Sequence, residues 1–316
     1  MAHTLDPEVA AALAPLAAMA EGQVPPAVGD VQGRRASAAA TFAYIGSLHP
    51  AVEGVTVTRH ETTAPDGAAV PLRWYQADGA DPGPAVLYVH GGGMILGDLD
   101  MYDPIISGFV ADSGVPALAV EYRLAPEHPH PVPVEDCYAA LTWLAAHAVE
   151  LGVDPARIAV MGDSAGGGLA AGVALIARDR GGPALARQIL IYPMLDDRTT
   201  TPDPSLVPFL AWTYEDNVTG WGALLGDRAG GADVPAYAAP ARADDVSGLP
   251  PTYVDVGDLD IFCAEDVDYA RRIAATGTPI ELHVHPGVPH GCEVVAPHAD
   301  VSRRIRADRL RVLRSL

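Results

Sequence analysis

A short motif, G-D-S-A-G at residues 162–166, constrains the fold of this chain most. Residues 157–161 before it have the apolar, β-branched character of a buried strand. Residues 165–177 after it have the small side chains of a helix packed closely against that strand. A serine at such a turn lies on a sharp bend, where small neighbours let the chain reverse and leave the hydroxyl exposed. Ser164 is therefore a candidate nucleophile.

The motif alone is not decisive, because glycine occupies 32 of the 316 positions. A serine flanked in this way should arise by accident in roughly one chain in ten of this composition. A nucleophilic serine also needs donors for an oxyanion, a base and an acid. The interpretation of Ser164 therefore depends on whether these parts occur elsewhere in the chain.

From residue 85 onward, short apolar runs alternate with longer helical segments, a pattern typical of a mostly parallel sheet covered by helices on both faces. The fold class is therefore α/β. The predicted strands are residues 85–89, 117–121, 158–161, 188–192, 252–256 and 280–285. The predicted helices are residues 101–113, 134–151, 165–179, 264–275 and 297–314.

The residues before this pattern predict a helical appendage, residues 1–50, ahead of a catalytic domain at 51–316. Asp6 and Pro7 are typical of a helix start, and Pro15 is expected to kink or end that helix. A second helix is predicted at about 32–47. Residues 55–58 and 72–75 alternate like strands of an antiparallel edge, with turn residues at 65–67 between them.

One interval, about residues 197–240, has no strand character and gathers prolines and aromatic residues. An insertion of this kind after a central strand predicts a lid over the carboxyl end of the sheet, where open α/β folds bind ligands. Ordinary core packing of its aromatic side chains is the alternative. We expect Trp212 and Tyr214 of this lid, together with Met94 and Cys292, to line a substrate pocket.

Charge and hydropathy exclude several classes of partner. Twenty Lys and Arg against forty Asp and Glu give a net charge of −20, which disfavours binding to nucleic acid or to anionic membranes. Mean hydropathy is +0.15, yet no apolar run reaches the roughly 18 to 20 residues of a membrane helix. We therefore predict a small neutral substrate and no membrane insertion.

A cytoplasmic location is predicted from the first residues and from the cysteines. No Lys or Arg precedes Arg34, so the Ala/Leu-rich opening lacks the basic region of a secretory signal. Cys137, Cys263 and Cys292 are too few, and odd in number, for a disulfide framework.

The sequence H-G-G-G at residues 90–93 follows directly on a predicted strand. Consecutive glycines allow backbone N–H groups to point together into a site. Donors from Gly91 and Gly92, with the N–H of Ala165, would form an oxyanion hole. A flexible turn is one alternative. A phosphate loop is disfavoured because no Lys-Ser or Lys-Thr follows.

The base is expected after the nucleophile and the acid in chain order. The late histidines are His283, His285, His290 and His298. His290 lies on a loop beyond the last predicted strand, next to Gly291, and is chosen on that ground. A zinc pair formed by His283 and His285 is the rival interpretation of this cluster.

The acid must lie on a loop beside the base, where it orients the imidazole and stabilises the imidazolium. Three aspartates, Asp255, Asp258 and Asp260, cluster at the end of the strand predicted at 252–256. Asp258 and Asp260 qualify better than Asp255, which lies within the strand. Spacing does not separate these two.

With these parts in place, the chain resembles the bacterial hormone-sensitive-lipase-like esterases. The matching segments are H-G-G-G at 90–93, E-Y-R-L-A-P-E at 121–127, G-D-S-A-G-G at 162–167 and P-H-G at 289–291. The family's D-P-L-x-D-E segment corresponds to residues 260–265, which favours Asp260 as the acid. This chain departs from the pattern with Ile261-Phe262 for Pro-Leu and with Cys292 where Phe often follows His-Gly.

The resemblance implies an α/β-hydrolase fold with a helical cap built from the amino terminus and the insertion. It implies hydrolysis of small to medium acyl or aryl esters by Ser164, His290 and Asp260, without cofactor or metal. Members often form a homodimer through the sheet edge and last helix. Lactonase, amidase and acyl transferase activities use the same groups, and a non-catalytic receptor is a further alternative.

Two smaller expectations concern residues outside the triad. Arg123 and Glu127 are interpreted as structural, either a buried charge pair or turn anchors. One of the thiols of Cys263 and Cys292 is expected to line or border the site, because these residues flank its predicted acid and base.

Overall fold

A computed structural model describes residues 3–316 and contains one eight-stranded sheet in the order β1-β2-β4-β3-β5-β6-β7-β8. The strands are β1 (Val55–Thr63), β2 (Ala69–Ala77), β3 (Gly83–Val89), β4 (Ala117–Val120), β5 (Val153–Asp163), β6 (Arg187–Ile191), β7 (Thr252–Gly257) and β8 (Ile280–His285). β2 pairs antiparallel with β1 and β4, and all other neighbours are parallel. The predicted fold class is confirmed.

Helices cover both faces of this sheet. They are α1 (Pro7–Ala20), α2 (Val31–Leu48), α3 (Leu99–Ser113), α4 (Val132–Ala146), α5 (Ala165–Arg180), α6 (Tyr214–Leu225), α7 (Cys263–Ala275), α8 (Cys292–Val295) and α9 (Asp300–Arg314). Side chains of α3 and α9 form a core on one face, and side chains of α4, α5 and α7 form a larger core on the other. Because residues 158–161 of β5 and 189–191 of β6 lie between the two cores, these parts of the strands are continuous apolar runs.

Every strand and helix predicted from residue 50 onward is present, with boundaries shifted by a few residues. The expectation for Pro15 is wrong in part, because α1 continues through it to Ala20. The insertion contains α6, which begins at a capping box formed by Thr213 and Asp216. The four-residue helix α8, which directly follows Gly291, has no counterpart among the predicted helices.

The amino-terminal helices contact both the insertion and the carboxyl-terminal region. Arg34 of α2 pairs with Asp216 of α6 at 2.8 Å, and Gly29 N–H donates to Thr219 Oγ1 at 3.0 Å. Val9 of α1 is buried in a small cluster with residues of α8 and α9. None of the helices within residues 3–316 combines the length and apolar character that a membrane span requires.

The parallel strands direct the functional segments to one edge of the sheet. β3 ends at Val89, directly before the H-G-G-G loop, and β5 ends at Asp163, directly before Ser164. β7 ends at Gly257, three residues before Asp260. Because carboxyl ends of parallel strands meet at the same edge, residues far apart in sequence come together there.

Candidate active site

Ser164 lies in the turn between β5 and α5 with φ of 54° and ψ of −122°, a conformation that residues other than glycine rarely adopt. Its N–H donates to Ile191 O at 2.8 Å, which ties the turn to β6. A Cβ added at Gly166 would lie 2.1 Å from Val89 O, and one at Gly162 would lie 2.3 Å from Gly166 O. The two glycines are therefore required for the close approach that holds the serine in this position.

The structure brings Ser164, His290 and Asp260 together. His290 Nε2 lies 2.9 Å from Ser164 Oγ, and His290 Nδ1 lies 2.6 Å from Asp260 Oδ2. Asp260 is buried, and its other carboxyl oxygen accepts a hydrogen bond from Phe262 N–H at 3.0 Å. The rings of Tyr192 and Phe262 pack edge-on against the imidazole, with centroids 4.7 and 5.2 Å away. Both contacts restrict rotation of the histidine ring.

The other two aspartates of the cluster have different partners. Asp258 Oδ1 accepts a hydrogen bond from Gly287 N–H at 2.7 Å, which fixes the turn before His290. Asp255 is buried and binds the guanidinium of Arg309 through both oxygens, each at 2.7 Å. Of the three candidates, Asp260 is the one in contact with His290.

Burial and charge act in opposite directions on the pKa of His290. Burial lowers the pKa, and the charge and hydrogen bond of Asp260 raise it, with the net result that the pKa lies above its ordinary value of 6.5. Asp260 would therefore stabilise the imidazolium that forms if His290 accepts a proton from Ser164.

The glycine loop differs from the prediction at one residue. Gly91 N–H donates to Tyr102 Oη at 3.1 Å, so the prediction of Gly91 as a free oxyanion donor is wrong. Within residues 3–316, the N–H groups of Gly92, Gly93 and Ala165 donate to no acceptor. Three adjacent glycines look alike in sequence. Tyr102, eleven residues after Gly91 on α3, decides which N–H is occupied.

A buried network behind this loop was not foreseen. Tyr88 and Tyr102 each donate a hydrogen bond to one oxygen of Asp163, at 2.9 and 2.8 Å. Burial raises the pKa of Asp163 to about 6, although the two hydroxyls act in the other direction. His90 is also buried, stacks on Tyr122 and has its pKa lowered to about 4 by burial. His90 is therefore neutral at pH 7 and supports the loop by packing.

A second buried group, centred on Arg309, connects three elements beside the triad. Arg309 of α9 pairs with Asp255 of β7 and, at 2.6 Å, with Glu293 of α8. Tyr192 donates its hydroxyl hydrogen to Glu293 at 2.6 Å. Since Tyr192 also packs on His290, this group fixes one side of the imidazole. No local sequence pattern could have paired residues so far apart along the chain.

The residues predicted for the pocket occupy different environments. Trp212 lies over the glycine loop, because a Cβ at Gly93 would lie 2.3 Å from its ring. Met94 is buried, with φ of 61°, and its carbonyl accepts a hydrogen bond from Ala125 N–H at 2.9 Å. Tyr214 is buried in the core, and its hydroxyl accepts a hydrogen bond from Asp203 N–H.

Within residues 3–316, neither the thiol of Cys263 nor that of Cys292 forms a hydrogen bond with a triad side chain. Cys292 is buried in the cluster that holds Val9, and its Sγ lies 3.9 Å from Ser302 Oγ. Cys263 packs partly buried against the core on the α3 and α9 face. The expectation that Cys292 lines a pocket has no support in this packing.

Arg123 and Glu127 do not pair with each other. Arg123 binds the buried carboxylate of Asp136 at 2.7 Å and also Asp66, and Glu127 pairs with Arg35 of α2 at 2.7 Å. Arg123 therefore pairs with a buried carboxylate and Glu127 pairs with a helix of the amino-terminal segment, in line with the structural interpretation of both residues.

Of the two histidines in the rival zinc interpretation, His283 but not His285 belongs to a group of possible metal ligands within residues 3–316. His283 lies 2.6 Å from Glu281, and these two residues with Asp308 place potential metal ligands within 4.8 Å of one another. Arg311 already pairs with Glu281 and contacts Asp308 at 3.4 Å. A guanidinium between the carboxylates opposes a second cation there.

Comparison with known proteins identifies the family. A family model described as the alpha/beta hydrolase fold matches residues 86–294. The chain belongs to the hormone-sensitive-lipase-like family of α/β hydrolases. Both the predicted family and its fold are thereby confirmed for this hydrolase.

Two curated relatives come from Mycobacterium tuberculosis. Carboxylesterase NlhH is 40% identical over 216 residues, and esterase LipI is 41% identical over 214 residues. Each alignment covers 66% of this hydrolase, and 66% and 65% of the relatives' own lengths. The alignments therefore span about two thirds of the curated proteins.

Solved structures extend the similarity to nearly the whole chain. A bacterial heroin esterase superimposes with a TM-score of 0.87 at 41% identity, covering 99% of this hydrolase and 98% of that protein. A hyperthermophilic esterase from the archaeon Pyrobaculum calidifontis gives a TM-score of 0.87 at 31% identity, with 99% and 98% covered.

Proposed function

We propose that this hydrolase cleaves carboxylic esters through a covalent acyl-enzyme formed on Ser164. The observation that carries the proposal is the continuous contact from Asp260 through His290 to Ser164 Oγ, at 2.6 and 2.9 Å. His290 Nε2 accepts the serine proton as Oγ attacks the ester carbonyl, and then donates it to the leaving alcohol. A water activated by the same nitrogen releases the acid.

The oxyanion that forms during attack is stabilised by backbone donors. Gly92, Gly93 and Ala165 have N–H groups without an acceptor in residues 3–316, and they lie at the ends of β3 and β5. Donors of this kind typically contribute a factor of about 10² to 10³ each to kcat. Gly93 replaces Gly91 in this set because the N–H of Gly91 is already bonded to Tyr102.

The substrate class we propose is small to medium acyl or aryl esters, in line with relatives named carboxylesterase and esterase. The amino-terminal segment, of which residues 3–50 are described, and the insertion at about 197–240 form one cap, supported by the Arg34–Asp216 ion pair between α2 and α6. Trp212 lies over the glycine loop and is the cap residue best placed to meet the substrate. Three free cysteines support the cytoplasmic location.

A homodimer is proposed through β8, the last strand of the sheet. Its Leu282 and Val284 are 36% and 42% exposed, although both are apolar. An exposed apolar edge strand is a template for pairing with another copy. Sedimentation analysis should give a dimer for the wild type and a monomer for Val284→Lys, and a monomeric wild type would contradict the assignment.

The experiment that tests the function is labelling with a serine-directed phosphonate. We expect one adduct per chain, located on Ser164 by peptide mass spectrometry, with loss of ester hydrolysis in proportion to labelling. A non-catalytic receptor would show no adduct and no turnover. An adduct on a different serine, with Ser164 unmodified, would contradict the assignment of the nucleophile.

A further inference from the structure

The proposed oxyanion donors lie on two different elements of the fold. The N–H groups of Gly92 and Gly93 belong to the glycine loop after β3, and the N–H of Ala165 lies at the start of α5, after the nucleophile turn that joins β5 to α5. To stabilise one oxyanion, these donors must all lie about 2.7 to 3.1 Å from the same oxygen. The pairing of β3 with β5 ends at Val89 and Gly162, before either set of donors begins. The glycine loop therefore needs a further contact that sets its distance from the nucleophile turn.

The hydroxyl of Tyr102 forms such a contact. It accepts a hydrogen bond from Gly91 N–H at 3.1 Å and donates one to Asp163 Oδ2 at 2.8 Å. Gly91 directly precedes Gly92 in the loop, and Asp163 directly precedes Ser164 in the turn. A hydroxyl has one hydrogen and two acceptor positions, so Tyr102 serves both partners at the same time. One side chain of α3 thus joins the segment that carries the loop donors to the segment that carries the nucleophile.

Gly91 and Asp163 approach each other closely at this contact. A Cβ added at Gly91 would lie 2.4 Å from Asp163 Oδ2 and 3.0 Å from Tyr102 Oη. The ring centroid of Tyr102 also lies 5.3 Å from that of His90, the first residue of the loop. Burial raises the pKa of Tyr102 well above its ordinary value, so the hydroxyl keeps its hydrogen at neutral pH.

Tyr88 of β3 provides a comparison on the same carboxylate. It donates a hydrogen bond to the other oxygen, Asp163 Oδ1, at 2.9 Å. Burial raises the pKa of Tyr88 well above its ordinary value too, so it remains a donor. Within residues 3–316, the hydroxyl of Tyr88 accepts no hydrogen bond from the glycine loop. Both tyrosines therefore satisfy the carboxylate, but Tyr102 alone of the two holds the amide of Gly91.

We propose that Tyr102 is a positioning residue of the oxyanion hole, which holds the glycine loop at a fixed distance from the nucleophile turn. This role rests on the proposed esterase function, because the oxyanion forms when Ser164 attacks an ester carbonyl. Within residues 3–316, Tyr102 forms no hydrogen bond with a triad side chain, so it acts through the backbone that leads from Gly91 to Gly92 and Gly93. Such donors bind the oxyanion more strongly than the ground-state carbonyl, and their displacement should lower kcat while KM stays nearly unchanged.

The test compares two tyrosine-to-phenylalanine variants, each of which lacks one hydroxyl on the carboxylate of Asp163. Tyr102→Phe removes the contact with Gly91, and Tyr88→Phe leaves that contact in place. With p-nitrophenyl butyrate, kcat of Tyr102→Phe should fall about 10- to 100-fold, because a misplacement on the order of 1 Å can cost about 10² in rate. KM should stay near the wild-type value. The fall in kcat should be smaller in Tyr88→Phe by about tenfold or more.

Asp163→Asn provides a second variant at the other end of the contact. The amide nitrogen that replaces one carboxyl oxygen cannot accept a tyrosine hydroxyl hydrogen, so kcat should fall with KM near the wild-type value, even if Tyr102→Phe fails to fold. Urea unfolding separates positioning from stability. Each phenylalanine variant removes a partner of the same buried carboxylate, so the unfolding midpoint should fall in both. A loss of kcat that is large only in Tyr102→Phe therefore cannot come from lost stability.

The outcomes separate the role of Tyr102 from the function on which it rests. An unchanged kcat in Tyr102→Phe or in Asp163→Asn would overturn the positioning role. Equal losses of kcat in Tyr102→Phe and Tyr88→Phe would also overturn it, because the effect would then lie in the carboxylate and not in the contact with Gly91. A rise in KM with unchanged kcat would make Tyr102 a substrate-binding residue instead. Wild-type protein that hydrolyses no p-nitrophenyl ester would overturn the esterase function itself.

Discussion

Among single residues, Asp258 and Asp260 show how two similar side chains on one turn acquire different roles. Asp260 contacts His290, whereas Asp258 accepts the N–H of Gly287 and orders the loop that carries the histidine. Spacing in the sequence left these two residues equal. Contact with the imidazole separates them, because only a carboxylate on Nδ1 can fix its tautomer.

Replacing each aspartate by asparagine should therefore give unequal results. Asp260→Asn should lower kcat by about 10⁴, because the amide neither orients the proper tautomer nor stabilises the imidazolium. Asp258→Asn keeps an oxygen acceptor for Gly287 N–H and should remain near wild type. Steady-state kinetics with p-nitrophenyl butyrate measures both. A crippled Asp258→Asn beside an active Asp260→Asn would reverse the assignment.

The pH profile tests the charge environment of His290. Only neutral imidazole can accept the serine proton, and the net effect of burial and Asp260 holds its pKa above 6.5. The value of kcat/KM should therefore rise with pH through a midpoint above 6.5 and then level off. A midpoint below 6 in kcat/KM for a neutral ester would contradict this electrostatic account.

Among the elements, α7 combines a structural contact with an unpaired buried group. Glu265 accepts hydrogen bonds from Leu195 N–H at 2.6 Å and Asp196 N–H at 3.0 Å, and so ties the beginning of the insertion to the helix. Asp266 beside it is buried, and within residues 3–316 both of its carboxyl oxygens lack a hydrogen-bond partner. Burial raises the pKa of Asp266 well above its ordinary value.

Replacing Asp266 by leucine should stabilise the fold. A buried polar group without a partner costs about 1 to 3 kcal/mol, and Leu has the same branched arrangement of side-chain heavy atoms as Asp. The pKa of Asp266 is higher in the folded state than its unfolded value of 3.8. The free energy of unfolding of the wild type therefore falls as the pH rises above about 4. The leucine variant has no carboxyl group at this position, so its free energy of unfolding should fall less. Urea unfolding at pH 5 and pH 8 measures this. Asp268→Leu at an exposed site of α7 is the control; lower stability of Asp266→Leu at both pH values would contradict the account.

At the scale of the whole molecule, the buried group around Arg309 joins β7, α8 and α9. Arg309 and Asp255 are almost completely buried, and Glu293 is the second carboxylate on the same guanidinium. Removing the arginine would leave the buried carboxylate of Asp255 and the partly buried carboxylate of Glu293 without their counter-charge. Breaking a buried pair in this way is far more costly than breaking an exposed one.

Arg309→Met should therefore lower the free energy of unfolding by about 3 to 5 kcal/mol. Arg311→Met is the matched change on the same helix, where the side chains of Arg311 and its partner Glu281 are 52% and 38% exposed, and it should cost about 1 kcal/mol or less. Thermal and urea unfolding of the two variants gives the comparison. Equal losses would show that the buried group contributes no more than a surface pair.

The sequence predicted most of the architecture because continuous apolar runs such as residues 158–161 are specific for strands buried on both faces. It predicted Ser164 and His290 through turn chemistry and chain order. The sequence could not select the oxyanion donors or pair Arg309 with Asp255, because both depend on side-chain contacts between different elements of the fold. Gly91 is the clearest case, since the hydroxyl of Tyr102 on α3 removes it from the set.

The most direct test of the central claim is the rate of p-nitrophenol release from p-nitrophenyl butyrate by Ser164→Ala. Removal of a triad nucleophile costs on the order of 10⁴ to 10⁶ in rate, so we expect turnover indistinguishable from background, with the far-ultraviolet circular dichroism of the wild type. A folded Ser164→Ala protein that retains turnover near the wild-type rate would contradict the assignment of Ser164 as the nucleophile.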